Sequence, residues 1–353
     1  MSSTPIRYNY HTVDEMKIAA AECLPPLVYQ YVSAGVADGC TLDKNESIFN
    51  KYALIPRRLQ GITNPNCEVS IFGNTYALPF GAAPVGMQQL FHPNGELATT
   101  LACKNNKAPC ILSTVSNISY KIASESTTTK PWFQLYPTDN LLITRQLIEN
   151  AEMAGAEIIV LTVDVPVLGK RIHNARSILN HADYQHLRFG NLDPMLSRED
   201  SIHNPGLDWD LLNLIKEMTK CKIVVKGILH PEDAKLCMEK GVDGIIVSNH
   251  GGRQLNSNYS TLEALQKIKT VVPNEYPLFM DGGIRSAEDI LKALMLGAKM
   301  VFLGRPICYG LAVGGQSGVD HLLNMLKTDL LRNMQLMGMR DLASFDQSQI
   351  LRL

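Results

Sequence analysis

The stretch that decides the fold is "DGIIVSNHGGRQL", residues 243–255. Its first half puts apolar residues at consecutive positions, Ile245, Ile246 and Val247, instead of alternating them with polar ones. A strand that is apolar on both faces is buried on both faces, as in a parallel sheet covered by helices. Its second half turns abruptly polar and presents His250 and Arg253 three residues apart, separated by two glycines. Either these are structural loop residues, or they are part of a site at the end of a buried strand.

The same run recurs along the chain. "LPFGAAP" (78–84), "CILST" (110–114), "PWFQLY" (131–136) and "EIIVLTVD" (157–164) precede it, with "KIVVKG" (222–227). "YPLFMDGG" (276–283) and "KMVFLGRP" (299–306) follow it. Helical segments separate them. "NLLITRQLIENAEMAG" stops at Gly155, and "HPEDAKLCMEKG" opens on Pro231 and stops at Gly241. "TLEALQKIKTVV" follows a Thr261 cap, and "SAEDILKALMLGA" opens on a Ser286-x-x-Asp289 capping pattern. Eight strands alternating with helices predict an α/β fold, a (β/α)8 TIM barrel over about residues 78–330 within a single domain spanning 1–353. Residues 12–34 read as an N-terminal helical extension. Residues 36–75 read as irregular apart from a hairpin in "CEVSIFGNTYAL" turning at Gly73-Asn74. After the fourth barrel strand the connection is unusually long, about 57 residues, and its middle, 173–206, is expected to act as a lid.

Composition narrows the class. The chain has 353 residues, 45% hydrophobic and 19% charged, with 33 Lys+Arg against 34 Asp+Glu. That balance argues against a nucleic-acid partner or a polybasic membrane anchor. No apolar run is long enough to span a bilayer, and the N-terminus lacks the apolar core of a signal peptide. The eight cysteines form no C-x-x-C pair and read as reduced core residues of a cytoplasmic chain. The terminal Arg-Leu is a weak relative of a peroxisomal address, so that compartment stays open. Apart from His250, the histidines show no metal-ligand spacing, and no metal is expected.

Active sites of such barrels sit at the C-terminal ends of the strands. Collected there, the polar residues fall into two sets. The first begins with the small turn Pro84-Val85-Gly86 and includes Ser113, Gln134, Thr162, Lys226 and Ser248. It ends with Asp281, Gly283 and Arg285 after the seventh strand, and Gly304 and Arg305 after the eighth. Glycine-rich turns with two arginines suit a phosphate, and the remaining polar groups suit a planar ring with carbonyls and ring nitrogens. Together they suggest FMN. A GxGxxG unit for NAD is absent. The second set is His250, Asp164, Arg171, Arg253 and Tyr136, joined by Tyr31 of the N-terminal extension, whose place here rests on the resemblance given below. Two arginines hold a carboxylate, a histidine oriented by an aspartate serves as a base, and tyrosine hydroxyls bind a hydroxyl or a developing carbonyl. Oxidation of a 2-hydroxy acid requires this set.

With these residues in place, the chain resembles the FMN-dependent α-hydroxy-acid oxidase and dehydrogenase family from about residue 10 to the C-terminus. The family includes glycolate oxidase, lactate oxidase, lactate monooxygenase and hydroxymandelate oxidase. "SNHGGRQL" matches its signature, and "APVGMQQLFHPNGE", "WFQLY", "LTVDVPVLGKR", "VVKGI", "DGGIR" and "FLGRP" follow its order. The resemblance implies that His250, paired with Asp164, is the base. It implies that Arg171 and Arg253 bind the substrate carboxylate, with Tyr31 and Tyr136 near the hydroxyl. Lys226 would stabilise the reduced flavin, Pro84, Val85, Ser113, Gln134, Thr162 and Ser248 would contact the ring, and Asp281 the ribityl chain. Gly283, Arg285, Gly304 and Arg305 would take the phosphate. O2 would be the acceptor, giving H2O2, with L-lactate the leading substrate and a homo-oligomer, tetramer or octamer, the assembly.

Two residues depart from that pattern. Most oxidases resemble one another in having alanine where this chain has Gly86, and lactate monooxygenase has glycine. That keeps an L-lactate 2-monooxygenase reading open, beside a quinone- or cytochrome-linked dehydrogenase. Val115 stands where glycolate oxidases have a larger aromatic residue, which implies a wider pocket. The long fourth connection is also somewhat shorter than is usual for the family.

Overall fold

The computed structural model describes residues 9–171, 178, 180–193, 195 and 201–353. Its strands are β1 (Tyr52–Leu54), β2 (Val69–Ile71), β3 (Asn74–Tyr76), β4 (Phe80–Ala82), β5 (Ile111–Ser113) and β6 (Trp132–Leu135). They continue with β7 (Ile158–Thr162), β8 (Lys222–Ile228), β9 (Gly244–Val247), β10 (Leu278–Asp281), β11 (Met300–Leu303) and β12 (Ile350–Arg352). All eight apolar runs are strands, and they form one parallel sheet in the order β4-β11-β10-β9-β8-β7-β6-β5. A parallel bridge between Ala82 and Cys110 closes the ring, so the predicted barrel is present. The register sets Ser113 beside Gln134 and Thr162 beside Lys226, so residues of the first set share a level at the strand ends.

Inside the ring, Trp132, Phe279 and Phe302 pack edge to face, with centroids 5.4 Å apart for Trp132–Phe279 and for Trp132–Phe302. The β2–β3 hairpin packs its Ile71 and Tyr76 into this cluster. The Trp132 indole N–H donates to the Tyr76 hydroxyl at 3.0 Å, which satisfies both polar groups in an apolar place. The hairpin turns at Phe72-Gly73, both with positive φ, one residue earlier than expected. The primed turn twists with the strands, and the Ile71–Asn74 pairing fixes its position.

The expected N-terminal helical extension is present as two helices, α1 (Val13–Cys23) and α2 (Pro26–Ser33), because Pro25 and Pro26 break the pattern between them. The sequence reading needs three further corrections. Residues 36–75 are not all irregular: α3 (Cys40–Ser47) follows the left-handed Gly39. Helix Thr261–Lys269 is capped by Ser260, in a capping box with Glu263, and not by Thr261. Among the eight cysteines, all unpaired, five are buried but Cys23 is exposed and Cys40 and Cys221 are half-buried. The expected Ser286–Asp289 box is formed. Of the expected lid, 173–206, residues 173–177, 179, 194 and 196–200 lie outside the described residues.

Candidate active site

The loop after β9 holds the centre of the site. His250, Gly251 and Gly252 follow one another with φ of 58°, 62° and 71°. Three left-handed residues in a row turn the chain back sharply, and a Cβ at 252 would stand 2.7 Å from the Leu42 amide nitrogen. His250 is the strained member, since a side chain in this region costs of order 1–3 kcal/mol and persists only where its surroundings enforce it. The enforcement is visible. Its N–H donates to Ser248 Oγ at 3.0 Å, and its ring Nδ1 lies 3.0 Å from Asp164 Oδ1. On the other side Asn249 forms a reciprocal amide pair with Asn45 of α3, at 2.8 and 2.9 Å, and accepts from the Gly252 N–H. Both asparagines are buried.

Burial pushes the His250 imidazolium down, and the Lys226 cation adds to this; Asp164 opposes both without reversing them. Burial pushes the Asp164 carboxyl up, but His250 and Lys226 hold it below the usual carboxylate range. The pair therefore favours a neutral imidazole whose Nδ1–H is given to an ionised carboxylate, leaving a lone pair on Nε2 able to accept a proton.

Arg171 and Arg253 meet on the same side. Arg253 donates through Nη1 to the carbonyls of Tyr31 and Ala34, at 2.7 and 2.9 Å, and its guanidinium lies 4.9 Å from the centre of the Tyr31 ring. Arg171 donates through Nε to the Arg253 carbonyl and through Nη2 to Gln254 Oε1. Gln254 in turn donates to the carbonyls of Asp164 and Val167. Each guanidinium is thus aimed by contacts on part of its edge, with N–H groups remaining for a carboxylate. Burial and the neighbouring Arg253 push Arg171 down, as befits two like charges drawn together.

Lys226, buried at the level of Thr162, donates to Ser248 Oγ at 2.9 Å and pairs with Asp281 at 3.3 Å. Burial alone would push it down; Asp281 and Asp164 more than reverse this and keep it a cation. The glycine turn after β10 brings Gly283 against α3, where a Cβ would stand 1.9 Å from the Asn45 carbonyl oxygen. Arg285 pairs with Glu46 at 2.6 Å, and Gly304 opens the helix Arg305–Met337, whose first-turn amides suit an anion. Arg305 donates to the carbonyls of Val32, Gly251 and Ala34. Burial, Arg253 and Arg285 push it down, to about 9. This corner has more positive charge than its one paired carboxylate, Glu46, balances.

One cavity joins these groups. Pro84, Val85, Gly86, Ser113, Lys226, Asp281, Gly283, Arg285, Gly304 and Arg305 line one part, and Tyr31, Tyr136, Arg171, His250 and Arg253 another. Asp164, Gln134, Thr162 and Ser248 stand behind that lining. Four buried polar atoms around it lack a hydrogen-bond partner among the described residues: Gln134 Nε2, Thr162 Oγ1, Asp281 Oδ1 and Asp164 Oδ2. Buried polar atoms are rarely left so, and a polar ring with a hydroxylated chain would satisfy the first three. The residues present therefore fit FMN. Sequence reasoning missed the far wall, Val165, Leu168, Phe189, Ile202 and His203. All of it belongs to the long connection after β7, where no period marks which residues turn inward. Among the described residues no cluster is placed to hold a metal, and no helix is long and apolar enough to cross a membrane.

A parallel barrel that sets a His–Asp pair and two arginines beside a ring-and-phosphate cradle defines a flavin-dependent oxidoreductase. Comparison with known proteins agrees. The family model for FMN-dependent dehydrogenase matches residues 20–352. A 2-hydroxyacid oxidase of Dictyostelium discoideum is 39% identical over 350 residues, covering 97% of this chain and 90% of that protein. An L-lactate oxidase of Lysinibacillus sphaericus is 38% identical, covering 92% and 88%. The solved structure of a mandelate oxidase superposes with a TM-score of 0.89 at 33% identity, covering 97% and 98%. The chain belongs to the FMN-dependent dehydrogenase family, and its cofactor is FMN.

Proposed function

We propose that this enzyme oxidises a small L-2-hydroxy acid to the 2-keto acid, passing the electrons to O2 and releasing H2O2. Oxidation of 2-hydroxy acids is the activity in the names of its relatives, whether 2-hydroxyacid, L-lactate or glycolate oxidases. The observation that carries the reading is the His250–Asp164 contact at 3.0 Å beside the Arg171–Arg253 pair, all around one cavity.

Arg171 and Arg253 take the substrate carboxylate. That fixes the hydroxyl-bearing carbon near His250 and the hydroxyl near Tyr31 and Tyr136. Burial pushes the Tyr136 hydroxyl well up, so it stays protonated and donates to the oxygen that becomes the carbonyl. His250 accepts the released proton on Nε2, and Asp164 stabilises the imidazolium. FMN, when bound, supplies the two-electron acceptor. Lys226 would face its ring as a fixed cation where negative charge develops. Ser113, Gln134, Thr162 and Ser248, with Pro84 and Val85, would hold the ring. Asp281 would hold the ribityl chain, and Gly283, Arg285, Gly304 and Arg305 the phosphate.

Lactate is the favoured substrate, with larger aliphatic or aromatic acids next because Val115 and the apolar far wall leave room. The L-lactate 2-monooxygenase alternative rests on Gly86, for which packing supplies a sufficient reason: a Cβ there would stand 2.4 Å from Val115 Cγ2. Purified holoenzyme given a panel of hydroxy acids tests the reading. Keto acid and H2O2 in equal amounts support it, and CO2 with little peroxide supports the monooxygenase. The resemblance further points to a homotetramer or octamer, which sedimentation of the holoenzyme would test, and the unpaired cysteines suit a cytoplasmic location.

A further inference from the structure

Glu96 is a fully buried carboxylate that the reaction does not use. It stands in the first turn of the helix Gly95–Asn105. Oε1 accepts from the Gln88 N–H at 3.0 Å and the Asn117 N–H at 3.1 Å, and Oε2 accepts from the Ile118 N–H at 3.3 Å. No cation pairs with it among the described residues; burial pushes its carboxyl up, and the main-chain amides oppose this without reversing it. Those amides belong to two different loops, the one after β4 and the one after β5.

Further contacts extend the clamp. The buried Gln88 side chain donates to the Val85 carbonyl at 3.0 Å and accepts from Thr99 at 2.6 Å. Between them Met87 is held at φ 57°, a strained setting for a side chain, and its N–H donates to the Val115 carbonyl. Asn117 accepts from the Gln89 N–H and donates to the Arg188 carbonyl, which draws in the segment carrying Phe189. Three walls of the cavity, at Val85-Gly86, Val115 and Phe189, are thereby joined through one carboxylate.

We propose that Glu96 is a positioning residue that sets the gap between the Gly86 and Val115 loops, and so the room over the flavin ring and beside the substrate. The proposal rests on the reading of this cavity as the FMN and hydroxy-acid site. Glutamine at 96 keeps the shape but brings an N–H donor against main-chain donors, so the loops must part.

The test compares Glu96→Gln, Asn117→Ala and Ile268→Val, the last a core truncation at the opposite end of the barrel that serves as the stability control. Each is measured for FMN dissociation constant, bound-flavin absorption, Tm, and kcat and KM on lactate and 2-hydroxyoctanoate. Glu96→Gln is expected to weaken FMN binding roughly ten-fold, to shift the bound-flavin spectrum and to change the lactate-to-octanoate ratio of kcat/KM. Asn117→Ala is expected to do the same to a smaller degree. Wild-type FMN affinity, spectrum and ratio in Glu96→Gln overturn the proposal, as does an Ile268→Val protein that reproduces the changes at equal loss of Tm. If Glu96→Gln does not fold, Asn117→Ala decides by the same two outcomes. Failure of the underlying reading is separate: wild-type protein would then bind no FMN.

Discussion

His250 Nδ1 meets Asp164 Oδ1 at 3.0 Å, joining the loop after β9 to the loop after β7. Burial depresses the imidazolium, so under the proposed mechanism the base is neutral, as it must be to accept a proton, into the acid range. The acid limb of kcat/KM is expected below pH ~6.5, the ordinary histidine value, with activity rising as pH rises through it. Asp164→Asn removes the charge that holds the imidazolium up. The limb should move to still lower pH while kcat falls by roughly 10²–10⁴. A pH profile of both proteins decides; a limb that stays in place would dissociate Asp164 from the base. His250→Gln should lose turnover and retain FMN.

Asn45 is expected to matter as much to the base as residues in the cavity do. Asn45→Ala leaves the buried Asn249 amide without its partner, at a loss of about 1–3 kcal/mol in stability. It also frees His250 to leave its left-handed setting. Denaturant unfolding and kcat measure the two effects. An unchanged kcat at reduced stability would show that the loop holds itself.

Lys226→Met should strand Asp281 as a buried unpaired charge. A loss of about 3–5 kcal/mol is expected, and Asp281→Asn in the same chain should restore part of it. A double-mutant cycle on Tm reads the coupling. Additive losses would contradict the ion pair.

The excess of positive charge around Arg305 predicts that the phosphate contributes much of the cofactor's affinity. FMN should raise Tm more than riboflavin at equal concentration, since stabilisation follows ligand affinity. Arg305→Met should narrow the difference. Equal stabilisation by the two flavins would remove Arg285, Arg305 and the glycine turns from phosphate binding.

Gly86→Ala tests how tightly the Gly86 and Val115 loops meet. The added methyl would stand 2.4 Å from Val115 Cγ2 and 2.9 Å from the Val115 carbonyl oxygen. Overpacking of this kind costs about 1–3 kcal/mol. Val115→Ala in the same chain should recover part of it, because it removes the first obstacle but not the second. Thermal melts of the three proteins measure this.

The barrel was legible because eight buried strands each leave the same continuous apolar run, and because function collects at their C-terminal ends. His250, Arg253 and Lys226 could be read from position alone. Tyr31 could not: it lies on α2, outside the ring, and only the resemblance singled it out before Arg253 was seen over its ring. Asn45 was hidden for another reason. The sequence of α3 is polar, "CTLDKNES", and shows no apolar stripe, so neither the helix nor its buried amide announced itself. Glu96 reads as an ordinary acid in a first helical turn. Its burial depends on two loops that sequence does not bring together.

The ring also dictates when the enzyme can be completed during synthesis. Phe80 of β4 pairs with Val301 of β11, and about 220 residues separate them in the chain. Pro84 and Val85 therefore emerge early from the ribosome, while the glycine turns at 283 and 304 emerge near the end. A nascent chain halted before β11 has one side of the ring cradle and neither the Gly304 helix start nor the final strand that closes the barrel. Cofactor capture must then be a late, post-translational event. Until β11 pairs between them, the edges of β4 and β10 are exposed to wrong partners.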